Sequence, residues 1–221
     1  MASVPPLDMT LDELRDAIAP LLGSHAAFDG WTERAIAMAA AELGVPAERG
    51  RIAFPAGPVQ MIDAWFDSVD RDMLTAFPAE RIDAMKIRER ISALISHRLE
   101  TLRPHKEALR RALAVLAMPQ NALAAGRLAW RSADRIWRVA GDTATDYNHY
   151  TKRTILIGVY GSTTLVFLDD ESEDMAVTRA FLARRIDDVM RFEKAKARIT
   201  GGSTYRPSLS RFLGRLRYPA R

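Results

Sequence analysis

Between Ile155 and Leu168 the chain runs through ILIGVYGSTTLVFL, a stretch that is apolar or small on every side and carries no charge. Such a segment has to be surrounded by protein or by another apolar medium, because no face of it suits water. As a helix it is about 21 Å long at 1.5 Å per residue, too short to cross a bilayer. A buried helix is therefore expected. Its β-branched residues would also suit a strand, but no partner strand is visible in the pattern. Helical spacing dominates elsewhere, and alternating strand patterns with Asn-Gly or Asp-Gly turns are missing. The expected class is all-α.

The flanking segments read as helices with recognisable ends. Thr10 and Glu13 have the spacing of a capping box for a first helix carrying Leu11, Leu14, Ile18, Leu21 and Leu22. Thr32 to Leu43 reads as an Ala-rich second helix closed by Gly44 and Pro46. A short segment, Ala47 to Phe54, precedes a long amphipathic helix from Gly57 to Phe77. Beyond Pro78 the pattern predicts one helix over Ala79 to Leu102, another over Pro104 to Leu116, and a third over Gln120 to Val139 that ends before Gly141. Ser172 is a cap for a helix with Glu173 and Asp174 in its first turn and an inward stripe of Met175, Leu182, Ile186 and Val189.

Helix, Gly turn, short helix, long helix is the helix-turn-helix layout of TetR-type regulators, whose short third helix enters the major groove. Here that helix, PAERGRIAFP, offers only Arg49 and Arg51. Residues 1–77 hold five arginines against twelve acidic side chains, while the whole chain has a net charge of +4. The acidic end is thus the one that would have to meet phosphates, the wrong sign for a DNA reader. The expectation is a non-DNA-binding helix-turn-helix kept as scaffold over residues 1–77, a larger helical domain over 78–199, and a tethered end over 200–221, with no nucleic acid as partner. A TetR-type transcriptional regulator with an apolar ligand-sensing pocket remains the alternative.

The end consists of a flexible tether, Thr200-Gly-Gly-Ser-Thr204, followed by YRPSLSRFLGRLRYPAR. At helical spacing Leu209, Phe212, Leu213 and Leu216 fall within about a 100° arc, with Arg211 and Arg215 pointing away. A basic amphipathic helix of this kind suits a membrane surface, and these six residues are the candidate membrane contacts. Docking on its own domain or on a partner subunit would bury the same stripe.

Catalysis finds little to work with. Cys is absent and the four His (His25, His97, His105, His149) never take the paired spacing of a metal hydrolase. A di-iron bundle needs two E-x-x-H repeats, and the nearest feature is one Asp146-x-x-His149. No nucleophile elbow, P-loop or dinucleotide fingerprint is present. The chain is expected not to be an enzyme and to need no cofactor or metal. Trp130 and Trp137, seven residues apart on one helical face, lie beside the apolar helix and near Met118. Core packing would explain them; so would a hydrophobic cavity lined by Met118, Trp130, Trp137, Ile157, Tyr160 and Leu165.

The run DTATDYNHYTKRTILIGVYGSTTLVFLDDESEDMAVTRAFLARRIDDVM, from Asp142 to Met190, resembles the core signature of the coenzyme Q biosynthesis lipid-binding family, the ninth Coq protein, in a bacterial version. GWTERAIAMAAAELGV and the Arg-rich amphipathic end are similar as well. The resemblance implies a TetR-like helical fold that has given up DNA and binds an isoprenoid quinone precursor or phospholipid. It further implies a homodimer that touches the membrane surface through its last helix and assists the hydroxylase acting on demethoxyubiquinone. The family's partner-facing patch carries over to His149, Tyr150 and Arg153, with His149 standing where the mitochondrial relatives have Trp. From the residues alone, His149 and Tyr150 could equally be a packing pair. The N-terminal MASVPPLDMTLDELRD has neither a signal-peptide nor a transit-peptide pattern. The expected location is the bacterial cytoplasm, peripherally associated with the inner membrane.

Overall fold

The computed structural model describes residues 8–142 and 147–200, and among them there are helices and turns but no strand. The helices are α1 (Leu11–Asp29), α2 (Glu33–Glu42), α3 (Ala47–Ala53), α4 (Pro58–Ala76), α5 (Ala79–Asp83), α6 (Ile87–Leu102), α7 (Lys106–Leu116), α8 (Ala122–Val139), α9 (Tyr147–Asp169) and α10 (Ala176–Thr200). The chain divides into two compact units, Met1–Ala183 and Arg184–Arg221. Of the second, the described part is the C-terminal portion of α10, where Arg185 and Asp188 pair at 2.7 Å one helical turn apart. The tether from Gly201 onward and the candidate membrane contacts Leu209, Arg211, Phe212, Leu213, Arg215 and Leu216 lie outside the described residues.

Local chemistry sets the helix ends of the first unit. Thr10 and Glu13 form the capping box: Thr10 N–H donates to Glu13 Oε2 at 2.8 Å and Glu13 N–H to Thr10 Oγ1 at 3.3 Å. α2 turns into α3 at Gly44, whose φ of 69° is strained for any residue with a Cβ. α3 can then lie against α2 because Gly50 has no side chain; a Cβ there would sit 3.0 Å from Cβ of Ala40. α1 inserts Leu14, Ile18, Leu22 and Ala26 into the core. Trp65 on α4 packs on Trp31 with ring centroids 5.2 Å apart, and Trp31 Nε1 donates to the carbonyl of Ala108 on α7 at 3.1 Å. The helix-turn-helix is thereby joined to the helices that follow it.

Two expectations need correction. The single helix expected over Ala79 to Leu102 is two, α5 and α6, because side chains supply partners for the backbone groups freed at the break. Glu89 accepts from the N–H of Lys86 at 3.0 Å, and Arg90 donates to the carbonyls of Met85 at 2.8 Å and Ala140 at 2.9 Å. The segment from Ile155 to Leu168 is a helix, but it is not buried all round. Leu156, Val159, Thr163 and Phe167 face the core, whereas Gly158, Gly161 and Leu165 are exposed, Leu165 at 62%. Its apolar outer side borders an open groove.

Candidate functional site

α7, α8 and α9 enclose a groove of about 460 Å³ that also reaches Phe66 of α4. α7 contributes Leu109, Leu113 and Leu116 at helical spacing, with Ala117 just past its end, and α8 contributes Ala125, Leu128, Ala129 and Ser132 from one face. α9 closes the other side with Ile157, Tyr160, Gly161, Thr164 and Leu165. Small residues on α8 and α9 create the space: a Cβ placed on Gly161 meets nothing within 4 Å. A groove of this size and lining can take an apolar chain out of water.

Its wall carries one polar feature. Arg98 of α6 is fully buried and forms an ion pair with Asp70 of α4, which is equally buried. Asp70 also accepts from Arg135 at 2.9 Å, and Arg135 pairs with Asp67 at 2.5 Å. The remaining donors of Arg98 turn to the groove: Nε donates to the hydroxyl of Tyr160 and Nη2 to that of Ser132, each at 3.3 Å. A buried charge needs an opposite charge of this kind, since a guanidinium left unpaired costs several kcal/mol.

Of the six expected cavity residues, Ile157, Tyr160 and Leu165 line the groove. Met118 sits exposed at the turn between α7 and α8 and is not one of the lining residues, although its neighbour Ala117 is. Trp130 and Trp137 pack instead on the first turns of α9. Trp130 lies 5.8 Å from the Tyr150 ring and 6.2 Å from that of His149. Trp137 donates to the carbonyl of Lys152 at 3.1 Å. Phe66 and Leu128 were legible only as apolar positions of their helices, and the α7 leucines, Ser132 and Thr164 were not singled out as cavity residues, although Leu109, Leu113 and Leu116 are apolar at helical spacing.

His149 and Tyr150 come together with Trp130 in one aromatic cluster, with Tyr150 exposed at 62%. Arg153 is beneath it, 1% exposed, and donates to Asp134 at 2.7 Å, to Asp142 at 3.2 Å and to the carbonyl of His149 at 3.1 Å. It is placed to hold the start of α9 against the end of α8 and not to meet another surface. In the helix-turn-helix, Arg49 of α3 donates to the carbonyl of Met9, and Arg51 pairs with Glu33 and Glu48 at 3.5 Å each. Among the described residues, no group of three or more His, Asp or Glu is arranged for a metal ion, and no helix is long and apolar enough to cross a membrane.

Residues 122–193, which hold α8, α9 and most of α10, match the COQ9 family model. The ubiquinone biosynthesis protein COQ9 of Rattus norvegicus, named as mitochondrial, is 32% identical over 167 residues, 73% of this chain and 54% of that protein. The COQ9 protein of Homo sapiens is 30% identical over 168 residues, 73% of this chain and 52% of that protein. The chain therefore spans about half the length of these curated relatives. Among solved structures, a TetR transcriptional regulator from Nitrosomonas europaea superposes with a TM-score of 0.63 at 26% identity, over 80% of this chain and 97% of that one. The fold is all-α and TetR-like.

Proposed function

This chain is a relative of the COQ9 proteins, and from that kinship we propose that it serves ubiquinone biosynthesis as a non-catalytic lipid-binding accessory protein. It binds an isoprenoid quinone intermediate in the groove between α7, α8 and α9 and presents it to a membrane-associated demethoxyubiquinone hydroxylase. The observation that carries this reading is the open apolar groove itself, about 460 Å³, walled by a helix too greasy for water whose outer side no element covers among the described residues. The cluster of half-buried Trp130 and His149 with exposed Tyr150 is the surface offered to the hydroxylase, with Arg153 positioning it from below. The basic amphipathic end brings the protein to the membrane from which the lipid is drawn.

Organic extraction of the natively purified protein followed by mass spectrometry tests the reading. Isoprenoid or acyl lipid is expected in near-stoichiometric amount. Lipid-free protein that also takes up no isoprenoid quinone would overturn it.

The regulator reading has one observation in its favour, the structural likeness to a TetR transcriptional regulator. Against it stand the acidic residues 1–77 and a third helix whose two arginines already have partners in the protein, Arg49 the carbonyl of Met9 and Arg51 the carboxylates of Glu33 and Glu48. Tight, sequence-selective binding of duplex DNA at physiological salt would decide for it.

A further inference from the structure

Ser132 and Tyr160 are the polar side chains of the groove wall whose hydroxyls bind a buried charge, and their hydrogen-bonding capacity is only half used. Each oxygen accepts from Arg98 at 3.3 Å. A hydroxyl that accepts in this way still has its own proton to give. Among the described residues neither proton has an acceptor, although both side chains line the groove and Ser132 is 2% exposed. Other hydroxyls of α9 are paired locally: Thr164 donates to the carbonyl of Tyr160 at 2.9 Å, Thr163 to that of Val159 at 2.7 Å. Two donors at one spot in a mostly apolar groove, the Ser132 hydroxyl buried and that of Tyr160 half-buried, suit an acceptor that arrives with the ligand, since a donor that an apolar chain shuts off from water is costly to leave unmade.

The charge balance narrows what that acceptor is. Arg98 is compensated by Asp70, Arg135, which also reaches Asp70, by Asp67, and Arg71, which also reaches Asp67, by Asp16, so the network behind the hydroxyls needs no further anion. A carboxylate or phosphate would carry an unbalanced charge into a site lined by Leu128, Ile157 and Leu165. A neutral oxygen would not. The buried guanidinium polarises both hydroxyls and makes them better donors.

We propose that the Tyr160 and Ser132 hydroxyls, braced by Arg98, form a recognition point for a neutral carbonyl oxygen borne on an apolar chain. This inference rests on the groove being a lipid site, as proposed above, and adds which part of the lipid is read and by which atoms. A ring carbonyl of an isoprenoid benzoquinone and the ester carbonyl of an acyl lipid share this chemistry.

The test uses the full-length protein and three probes of similar chain length: an isoprenoid 1,4-benzoquinone, an isoprenoid hydrocarbon without oxygen, and a fatty-acid methyl ester. Binding is followed by equilibrium dialysis, and the carbonyl stretch of the bound probe by infrared difference spectroscopy. The quinone is expected to bind about tenfold tighter than the hydrocarbon, with its carbonyl band moved to lower frequency. Tyr160→Phe and Ser132→Ala should each remove most of that advantage and return the band towards its free position. Ser132→Thr, which keeps a hydroxyl, should retain both. Hydrocarbon binding should be the same in all four proteins, which separates recognition from a general disturbance of the groove around Arg98. The same hydroxyl-dependent gain with the ester alone assigns the acyl carbonyl as the group read and still supports the inference. Equal affinity for quinone, ester and hydrocarbon in the wild type, or variants that weaken all three alike, overturns the inference and leaves the groove as a lipid site. Failure of every probe to bind removes both.

Discussion

Asp170 stands at the corner between α9 and α10 and spends both carboxylate oxygens there. Oδ1 accepts from the N–H and hydroxyl of Ser172 at 2.9 and 2.5 Å, and Oδ2 from the N–H and hydroxyl of Thr178 at 2.8 and 2.5 Å. Burial acts to raise its pKa, but the hydrogen bonds from Ser172 and Thr178 outweigh it and hold the carboxyl well below the usual range. A depressed folded pKa means that the contribution to stability is complete above the unfolded value, about 3.9, and is lost as pH falls through the folded value. Asp170→Asn is expected to cost about 1–2 kcal/mol at pH 7. In chemical denaturation the gap to wild type should stay constant down to about pH 4 and close below it; a gap that closes already between pH 7 and 5 would contradict this. Arg153 is a second buried charge with a purpose of its own. A basic residue beside aromatic neighbours gave no sign in the sequence of being buried, because its partners Asp134 and Asp142 come from a different helix and its end. Arg153→Ala removes the buried cation that the two carboxylates share, leaving Asp134 with Arg138 and Asp142 with Lys152, and is expected to destabilise the protein by about 2 kcal/mol, read as a clear fall in melting temperature. Loss of hydroxylase binding with unchanged melting temperature would instead make it a contact residue.

At the level of helices, spacing and caps were informative wherever the deciding contacts are local. α1, α2, α3 and α4 begin directly after Thr10, Thr32, Pro46 and Gly57, within a residue of the starts read from the sequence. The break between α5 and α6 was hidden because it is held by Arg90 reaching Ala140, fifty positions along the chain. For α9 the periodicity carried no direction at all: with every side apolar, nothing in its sequence could say which face would meet the core and which the groove. That is also why Ile157, Tyr160 and Leu165 were identifiable as a group while their α7 and α8 neighbours were not. The open face gives a sharp prediction. Gly161 has room for a side chain, and replacing a helical glycine removes a penalty of up to about 1 kcal/mol. Gly161→Leu is therefore expected to keep or raise the melting temperature while filling the groove and reducing quinone uptake at least tenfold. Full uptake by this variant would place the lipid elsewhere.

For the molecule as a whole, charge and greasiness are laid out in sequence order, and that arrangement argues for a carrier at a membrane and against a reader of DNA. Residues 1–77 have seven more acidic than basic side chains, whereas the last 21 residues have five arginines and no acid. In the proposed membrane contact Leu209, Phe212, Leu213 and Leu216 would provide the partitioning, and each arginine near an anionic surface would add about 1 kcal/mol. The groove and its polar network, by contrast, are assembled entirely from residues of the unit Met1–Ala183. Deleting the chain after Thr204 is accordingly expected to leave the melting temperature and quinone binding as they are. Co-sedimentation with vesicles rich in anionic phospholipid should drop steeply, and the binding that the full chain shows should itself weaken as salt rises, because exposed charge pairs are screened. Leu213→Asp should reproduce the loss without shortening the chain. A truncated protein that melts several degrees lower, or that releases its lipid, would mean that the amphipathic end covers the groove and not the bilayer.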